Sequence, residues 1–387
     1  MKKLIYQILK IGFSFLVLIS ALAHASYEDG LNAYQAENYA LALQEFLPLA
    51  VDGNAEAQLY VGYIYDAALG VEQNLEIAFQ WYQKAADAGL AQAQYNLGVL
   101  YYNGDGVAED DAEALYWLKQ AALQGHSGAF YVLGIMVEEG YGVDVDMQMA
   151  LFNYYVSATL GKEQANEAIT RVSASLSKVE QNEAMIAGAG FLYSLAEYEL
   201  AWESFVPFAQ ADNPEAAYYL GLMLRNGEGV SQNYAAAAEW YQKAVDGGYT
   251  AAYTNLAFLY IKGLGVDQDY HKALSLYVHA TQQGDADAAA NIAHMYQDGL
   301  GVEASLVEAY AWWLVAAENG SEDASEKLAS YQSNLSADEL ALAKNRASII
   351  QNALGQGQDP IELPTQSSTD GKVASILLSL QQRGQKN

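Results

Sequence analysis

The chain has 387 residues, 52% of them hydrophobic, and a formal net charge of −29 at pH 7. There is enough apolar sequence for a packed core, but such a charge is repelled by phosphate backbones and anionic lipid headgroups, which argues against nucleic acid and acidic membranes as partners. The absence of cysteine excludes disulfides, thiolate catalysis and cysteine-ligated zinc, so the fold must hold by packing alone.

Residues 1–25 have the composition of a secretory signal. Lys2, Lys3 and Lys10 give a positive start, Ile11 to Leu22 is mostly apolar, and Ala23-His24-Ala25 is a small-x-small cleavage site. Cleavage after Ala25 predicts a periplasmic or secreted protein with no membrane insertion afterwards, and no cysteine follows the site to carry a lipid. Loss of the three leader lysines takes the formal charge from −29 to −32. From Tyr27 to Gly53, the helical spacing of Ala33, Tyr34, Tyr39, Ala42, Phe46 and Ala50, with a break near Glu37-Asn38, predicts one helix-turn-helix unit. Pro48 lacks an amide hydrogen and should kink or end its second helix.

A repeat of 36 residues follows, over 57–92, 93–128 and 129–164. Gly62, Gly98 and Gly134 align, as do Gly70, Gly106 and Gly142, and Gly89, Gly125 and Gly161. A fixed period in this range marks a stacked repeat architecture. A glycine inside a helix costs about 1 kcal/mol against alanine, so Gly62 and its equivalents predict a neighbour too close for a Cβ. Asn74, Asp110 and Asp146 share one register and suit the N-cap of each second helix. Between Lys162 and Gly190 the glycines stop, and one or two closing helices are expected around Ser177. The whole arrangement then returns 159 residues later: Phe46 becomes Phe205, Pro48 becomes Pro207, Gly62 becomes Gly221, Trp81 becomes Trp240 and Ser177 becomes Ser336. Because 159 is not a multiple of 36, this is a duplicated module rather than one uninterrupted array. The expected divisions are 26–190, 191–350 and a flexible tail over 351–387, in which Val373 to Gln382 could form a short amphipathic helix.

The pattern Ala-x3-Leu-Gly-x2-Tyr, Gly-x-Gly-Val, Asp, Ala-x2-Trp-Tyr-x-Lys-Ala-Ala, Gly, clearest over Ala57–Gly89 and Ala216–Gly248, resembles the Sel-one-like repeat, a relative of the tetratricopeptide repeat. The resemblance implies an all-α, right-handed solenoid of stacked antiparallel helix pairs. It also implies an adaptor of the bacterial cell envelope or secretome that holds protein partners, with a regulator masking a periplasmic receptor domain as an alternative.

In such a stack the first helices are expected to line the concave surface, where partners dock. Their residues at three neighbouring registers change from repeat to repeat: Leu59/Tyr60/Tyr63, Tyr95/Asn96/Val99, Tyr131/Val132/Ile135, Tyr218/Tyr219/Leu222, Thr254/Asn255/Phe258 and Ala290/Asn291/His294. Tyrosine offers rigid amphipathic contact area, so Tyr60, Tyr63, Tyr95, Asn96, Tyr131, Tyr218, Tyr219, Asn255, Phe258, Asn291 and His294 form the candidate binding stripe, with packing inside the repeat as the other use for these tyrosines. Trp81, Trp117, Tyr154, Trp240, Trp312 and Trp313 are expected as core wedges between repeats.

No cofactor or metal is implied. The acidic loops Asp105, Glu109, Asp110, Asp111 and Asp144, Asp146 lack the calcium-loop pattern and its terminal glutamate. His126, His271, His279 and His294 fall at unrelated registers and make no metalloprotease motif. Ser175-Leu176-Ser177-Lys178 matches the Ser-x-x-Lys of acyl-serine β-lactamases, and a cysteine-rich branch of the similar family is linked to β-lactam binding. The companion Lys-Thr-Gly and Ser-Asp-Asn motifs are missing, which leaves a hydrolase as the alternative to a non-catalytic scaffold.

Overall fold

The structure, a computed structural model, describes residues 26–361; the expected leader and the amphipathic segment Val373–Gln382 lie outside the described residues. Helices are the only regular elements among those residues. A lead pair, α1 (Tyr27–Gln35) and α2 (Tyr39–Val51), precedes three repeat pairs: α3 (Ala55–Asp66) with α4 (Leu75–Asp87), α5 (Ala91–Asn103) with α6 (Asp111–Ala122), and α7 (Ser127–Glu139) with α8 (Met147–Thr159). Two closing helices follow, α9 (Ala165–Ser173) and α10 (Lys178–Ser194). The order then recurs: α11 (Tyr198–Gln210), α12 (Pro214–Asn226) with α13 (Tyr234–Asp246), α14 (Thr250–Lys262) with α15 (Tyr270–Gln282), α16 (Ala286–Asp298) with α17 (Leu306–Glu318), then α18 (Glu322–Tyr331) and α19 (Ala337–Gly355). The paired helices pack chiefly on their neighbours in sequence, and the closing helices α10 and α19 pack on α8 and α17, which makes the fold an all-α solenoid.

The local signals act where they were read. Asn74, Asp110, Asp146, Asn233, Asp269 and Ser305 all cap second helices through their side-chain oxygens, at 2.9 to 3.2 Å from the first-turn amides. Pro48 and Pro207 sit in the last turn of α2 and α11, which end three residues later. Ser177 and Ser336 each start a closing helix with a full capping box, to Glu180 and Glu339. Gly106 and Gly265 hold φ of +70°, and a Cβ there would strike the backbone at the start of the preceding repeat's second helix, at Leu75 and at Tyr234-Ala235. Glycine is therefore required twice over at these turns, by conformation and by space.

The wedge between the paired helices is at the register of Tyr154 and Trp313, one residue after Trp81, Trp117, Trp240 and Trp312. A Cβ on Gly62, Gly98, Gly134 or Gly221 would lie 2.5 to 2.7 Å from the side chains of Tyr82, Leu118, Tyr154 and Tyr241. These four wedges are fully buried, as is Trp313, while Tyr277 at the same register is 3% exposed. Trp117 and Trp312 are buried too, but Trp81 and Trp240 are only half-buried. One residue is about 100° of helix; it turns these two indoles off the interface, where Lys84 and Lys243 place their ammonium groups 3.9 and 4.2 Å from the ring centroids.

Contacts divide the chain into two compact units between Ala201 and Trp202, inside α11. The division expected after residue 190 falls within α10, which is continuous because its capping box opens it at Ser177 and nothing interrupts it before Leu195. Ala184 of α10 belongs to the core around Tyr154, and Phe191 packs edge-on against Phe130 and Phe152. The tail expected from Gln351 overlaps the last helix. Residues 351–355 complete α19, and the segment after it is held by Arg346, which donates to the Pro360 carbonyl at 2.8 Å and to both oxygens of Glu308 at 3.0 Å. Gln282 donates to the Gln358 carbonyl at 3.1 Å.

Candidate interaction surface

Helical geometry places the three variable registers of each first helix on neighbouring positions of one face. Most of these side chains are half-buried; Leu59, Val132 and Ala290 are buried and Phe258 is exposed at 38%. The stripe is therefore a lined surface of aromatic rings and amides, neither core nor open exterior.

Its members do different work. Tyr60 stacks on Phe46 at 4.8 Å between centroids and meets Tyr27, Tyr34 and Tyr63 edge-on. Tyr219 stacks on Phe205 at 4.6 Å in the same way. In both modules this register fastens the lead helix to the first repeat. Tyr63 lies edge-on to Tyr82 at 5.7 Å, and the Asn96 amide stands beside the hydroxyls of both tyrosines while its oxygen accepts from Gln92. Tyr131 lies 5.8 Å from the Tyr154 ring and from the Lys162 ammonium. Tyr218 adjoins the rings of Tyr219, Tyr241 and Tyr249 at 5.5, 6.0 and 5.0 Å. Asn255 donates to the Ala251 carbonyl at 2.8 Å and accepts from Arg225. His294 stands edge-on to Trp313, 3.4 Å from an Asp323 oxygen. Asn291 is half-buried on the same face.

The residue a further turn along each first helix completes the surface and was not singled out from the sequence. Asp66 accepts from the Tyr82 hydroxyl at 2.9 Å, and Glu138 from the Tyr154 hydroxyl at 2.7 Å. Burial first, and the adjacent carboxylates second, push both phenols well above their usual range, so both remain donors. Arg171 makes a paired contact to Glu138 and holds that carboxyl below the usual range. The legible signal was a charged side chain three residues after the stripe, at 66, 138 and 225.

Ser175 and Lys178 straddle the junction of α9 and α10. The Ser175 hydroxyl donates to the Val172 carbonyl at 2.7 Å and Ser177 is a cap, so the geometry lends the hydrolase alternative no support. Among the described residues no three His, Asp or Glu side chains gather to hold a metal ion, and no helix is long and apolar enough to cross a membrane.

Matches to the Sel1 repeat cover residues 55–90, 91–126, 129–162, 214–249, 250–285 and 286–321, more than half of the chain. The chain belongs to the Sel1 repeat family, whose members generally mediate protein–protein interaction and are typically non-catalytic scaffolds. Among solved structures it is similar to a protective antigen with an SLR fold from uropathogenic Escherichia coli, at 24% identity over 86% of this chain and 84% of that one, with a TM-score of 0.38. A Sel1 repeat protein from Oxalobacter formigenes matches at 28% identity over 74% and 94%, TM-score 0.33, and an immunity protein from Pseudomonas aeruginosa at 20% over 59% and 81%, TM-score 0.25. No match was found among curated proteins.

His126 links the stripe to pH. Its Nδ1 caps α7 by accepting from the Ala129 amide at 3.1 Å, its Nε2 lies 3.0 Å from Gln92 Oε1, and its ring stacks on Tyr95 at 4.4 Å. Burial, with Lys162 adding to it, lowers its pKa below the usual 6.5. The folded state thus binds this proton less readily than the unfolded chain, so the cap's contribution is complete above about pH 6.5 and is lost as pH falls through the lowered value. Urea denaturation between pH 7 and 5 should show declining stability, and His126→Asn, which keeps a capping oxygen, should flatten that slope; an unchanged slope would rule out His126 as its source.

Proposed function

We propose that this is an exported, non-catalytic adaptor that binds a partner polypeptide along the first-helix stripe. The observation that carries the proposal is the contrast between two faces of the same helices. The face that meets the second helix keeps glycine or alanine opposite a large buried side chain in every repeat, whereas the stripe changes at each step and leaves aromatic and amide groups half-buried. Of the stripe, Tyr60 and Tyr219 are largely committed to fastening the lead helices. Tyr63, Tyr95, Asn96 and Tyr131 in the first module, and Tyr218, Asn255, Phe258, Asn291 and His294 in the second, are the contact residues. Sel1 repeats in general serve protein interaction, which supports this assignment.

The envelope setting rests on the leader composition. It is supported by Ser26, whose side chain caps α1 and whose backbone nitrogen lies 3.2 Å from a Glu45 oxygen. Cleavage after Ala25 turns that nitrogen into an ammonium group and strengthens its bond to the carboxylate. Intact-mass analysis of the protein from its native host should give a chain starting at Ser26; retention of residues 1–25 would refute processing.

A photo-crosslinking residue placed at Tyr95, Tyr131 or Phe258 should yield adducts of discrete mass in the envelope fraction. The same residue at Tyr116, which is 53% exposed on a second helix, should not. Equal adducts at Tyr116, or none at the stripe, would overturn the assignment.

A further inference from the structure

One group of side chains on the stripe occurs twice, with its charge reversed. In the first module it is Asp66 at the end of α3, Tyr82 on α4 and Asn96 on α5; Asp66 accepts from Tyr82, and Asn96 stands beside the Tyr82 hydroxyl. A shift of 159 residues leads to Arg225 on α12, Tyr241 on α13 and Asn255 on α14. Two of the three residues are unchanged, and the acid has become a base. Arg225 Nη1 donates to Asn255 Oδ1, and Nε donates to Asn226 Oδ1 at 3.1 Å. Both acceptors are neutral amides, and a guanidinium has five N–H donors, so these bonds leave it with both charge and donors to offer. The helix end does not require the charge: Gly227, in the left-handed conformation, already caps α12 by bonding the Met223 carbonyl. Arg225, Asn255 and Tyr218 are half-buried, where a charge interacts more strongly than in open water.

We propose that this position is a charge-reading subsite of opposite sign in the two modules. Arg225 receives the carboxylate of an aspartate or glutamate side chain on an extended partner polypeptide, with Asn255 holding the guanidinium in place. Asp66 receives a lysine or arginine side chain, with the Tyr82 hydroxyl holding one of its two oxygens. A guanidinium and a carboxylate can pair through two parallel bonds, which gives direction as well as attraction. In a chain with 47 acidic and 18 basic residues, a base at this place on the stripe selects for an acid against the prevailing field. The assignment rests on the stripe being the binding surface.

The test is selection from a randomised nonapeptide library, presented with blocked and with free carboxyl termini, on the purified full chain and on Arg225→Gln, Arg225→Lys and Asp66→Asn. Circular dichroism verifies that each variant keeps its helices. The wild type should enrich two sets of peptides, one carrying Asp or Glu and one carrying Lys or Arg. Arg225→Gln should lower the acidic enrichment at least tenfold and spare the basic one, Asp66→Asn should do the reverse, and Arg225→Lys should keep part of the acidic preference. Acidic enrichment that survives Arg225→Gln, binding without charge preference, or preference only for a free carboxyl terminus would overturn the subsite and leave the stripe intact. A wild type that enriches no peptide would overturn both.

Discussion

A large side chain of the second helix pressed onto a first-helix glycine, in four of the six repeats, is the contact on which the stack depends. Tyr82 against Gly62, Leu118 against Gly98, Tyr154 against Gly134 and Tyr241 against Gly221 are four copies of it. Glycine costs each first helix about 1 kcal/mol, and full burial of the facing side chain returns roughly 1.5–3 kcal/mol. The exchange is favourable only if the side chain reaches the helix backbone, so the glycine fixes how closely each pair of axes approaches. Once that face is committed, the neighbouring registers turn toward the half-buried surface, where composition can vary from repeat to repeat without loss of the fold.

Duplication kept glycine at the first of these positions, Gly221 for Gly62, and put Ala257 and Ala293 in place of Gly98 and Gly134. Both modules open with an aromatic stack, Phe46 on Tyr60 and Phe205 on Tyr219, and both close with a serine–glutamate capping box. Among their differences, several lie along the stripe and its next turn: Asp66 against Arg225, Tyr63 against Leu222, Tyr131 against Ala290. Such changes suit a surface selected for what it touches outside the chain. The overall negative field extends only about 10 Å at 0.1 M ionic strength; it favours neutral or basic partners at a distance and leaves close contacts to decide specificity.

Much of the fold was legible because its signals are steric and local. The turn glycines, the capping residues and the interrupted period all follow from backbone geometry, which the sequence expresses directly. The rotation of each helix was not legible to within one residue: a 36-residue period is equally consistent with Trp81 or Tyr82 as the wedge, and only the position of the facing Gly62 distinguishes them. The expected division after residue 190 falls inside α10 because no breaker lies there. The stripe was found as a pattern of variation, but its unequal roles depend on contacts between helices. That Tyr60 is spent on Phe46 while Tyr95 stacks on a capping histidine is set by residues 14 positions before one and 31 after the other. Asp66 and Arg225 passed unnoticed because a charge near the end of a helix reads equally well as solvated surface.

A double-mutant cycle on Gly98 and Leu118 tests the wedge most directly. Leu118→Ala alone should cost about 2–5 kcal/mol in denaturant unfolding, and Gly98→Ala alone should destabilise by forcing a methyl into the leucine. In the double variant the new methyl occupies the space the leucine leaves, so the combined loss should fall short of the sum by more than about 0.5 kcal/mol. Losses that simply add would show that the two residues do not form the contact that sets the spacing of the stack.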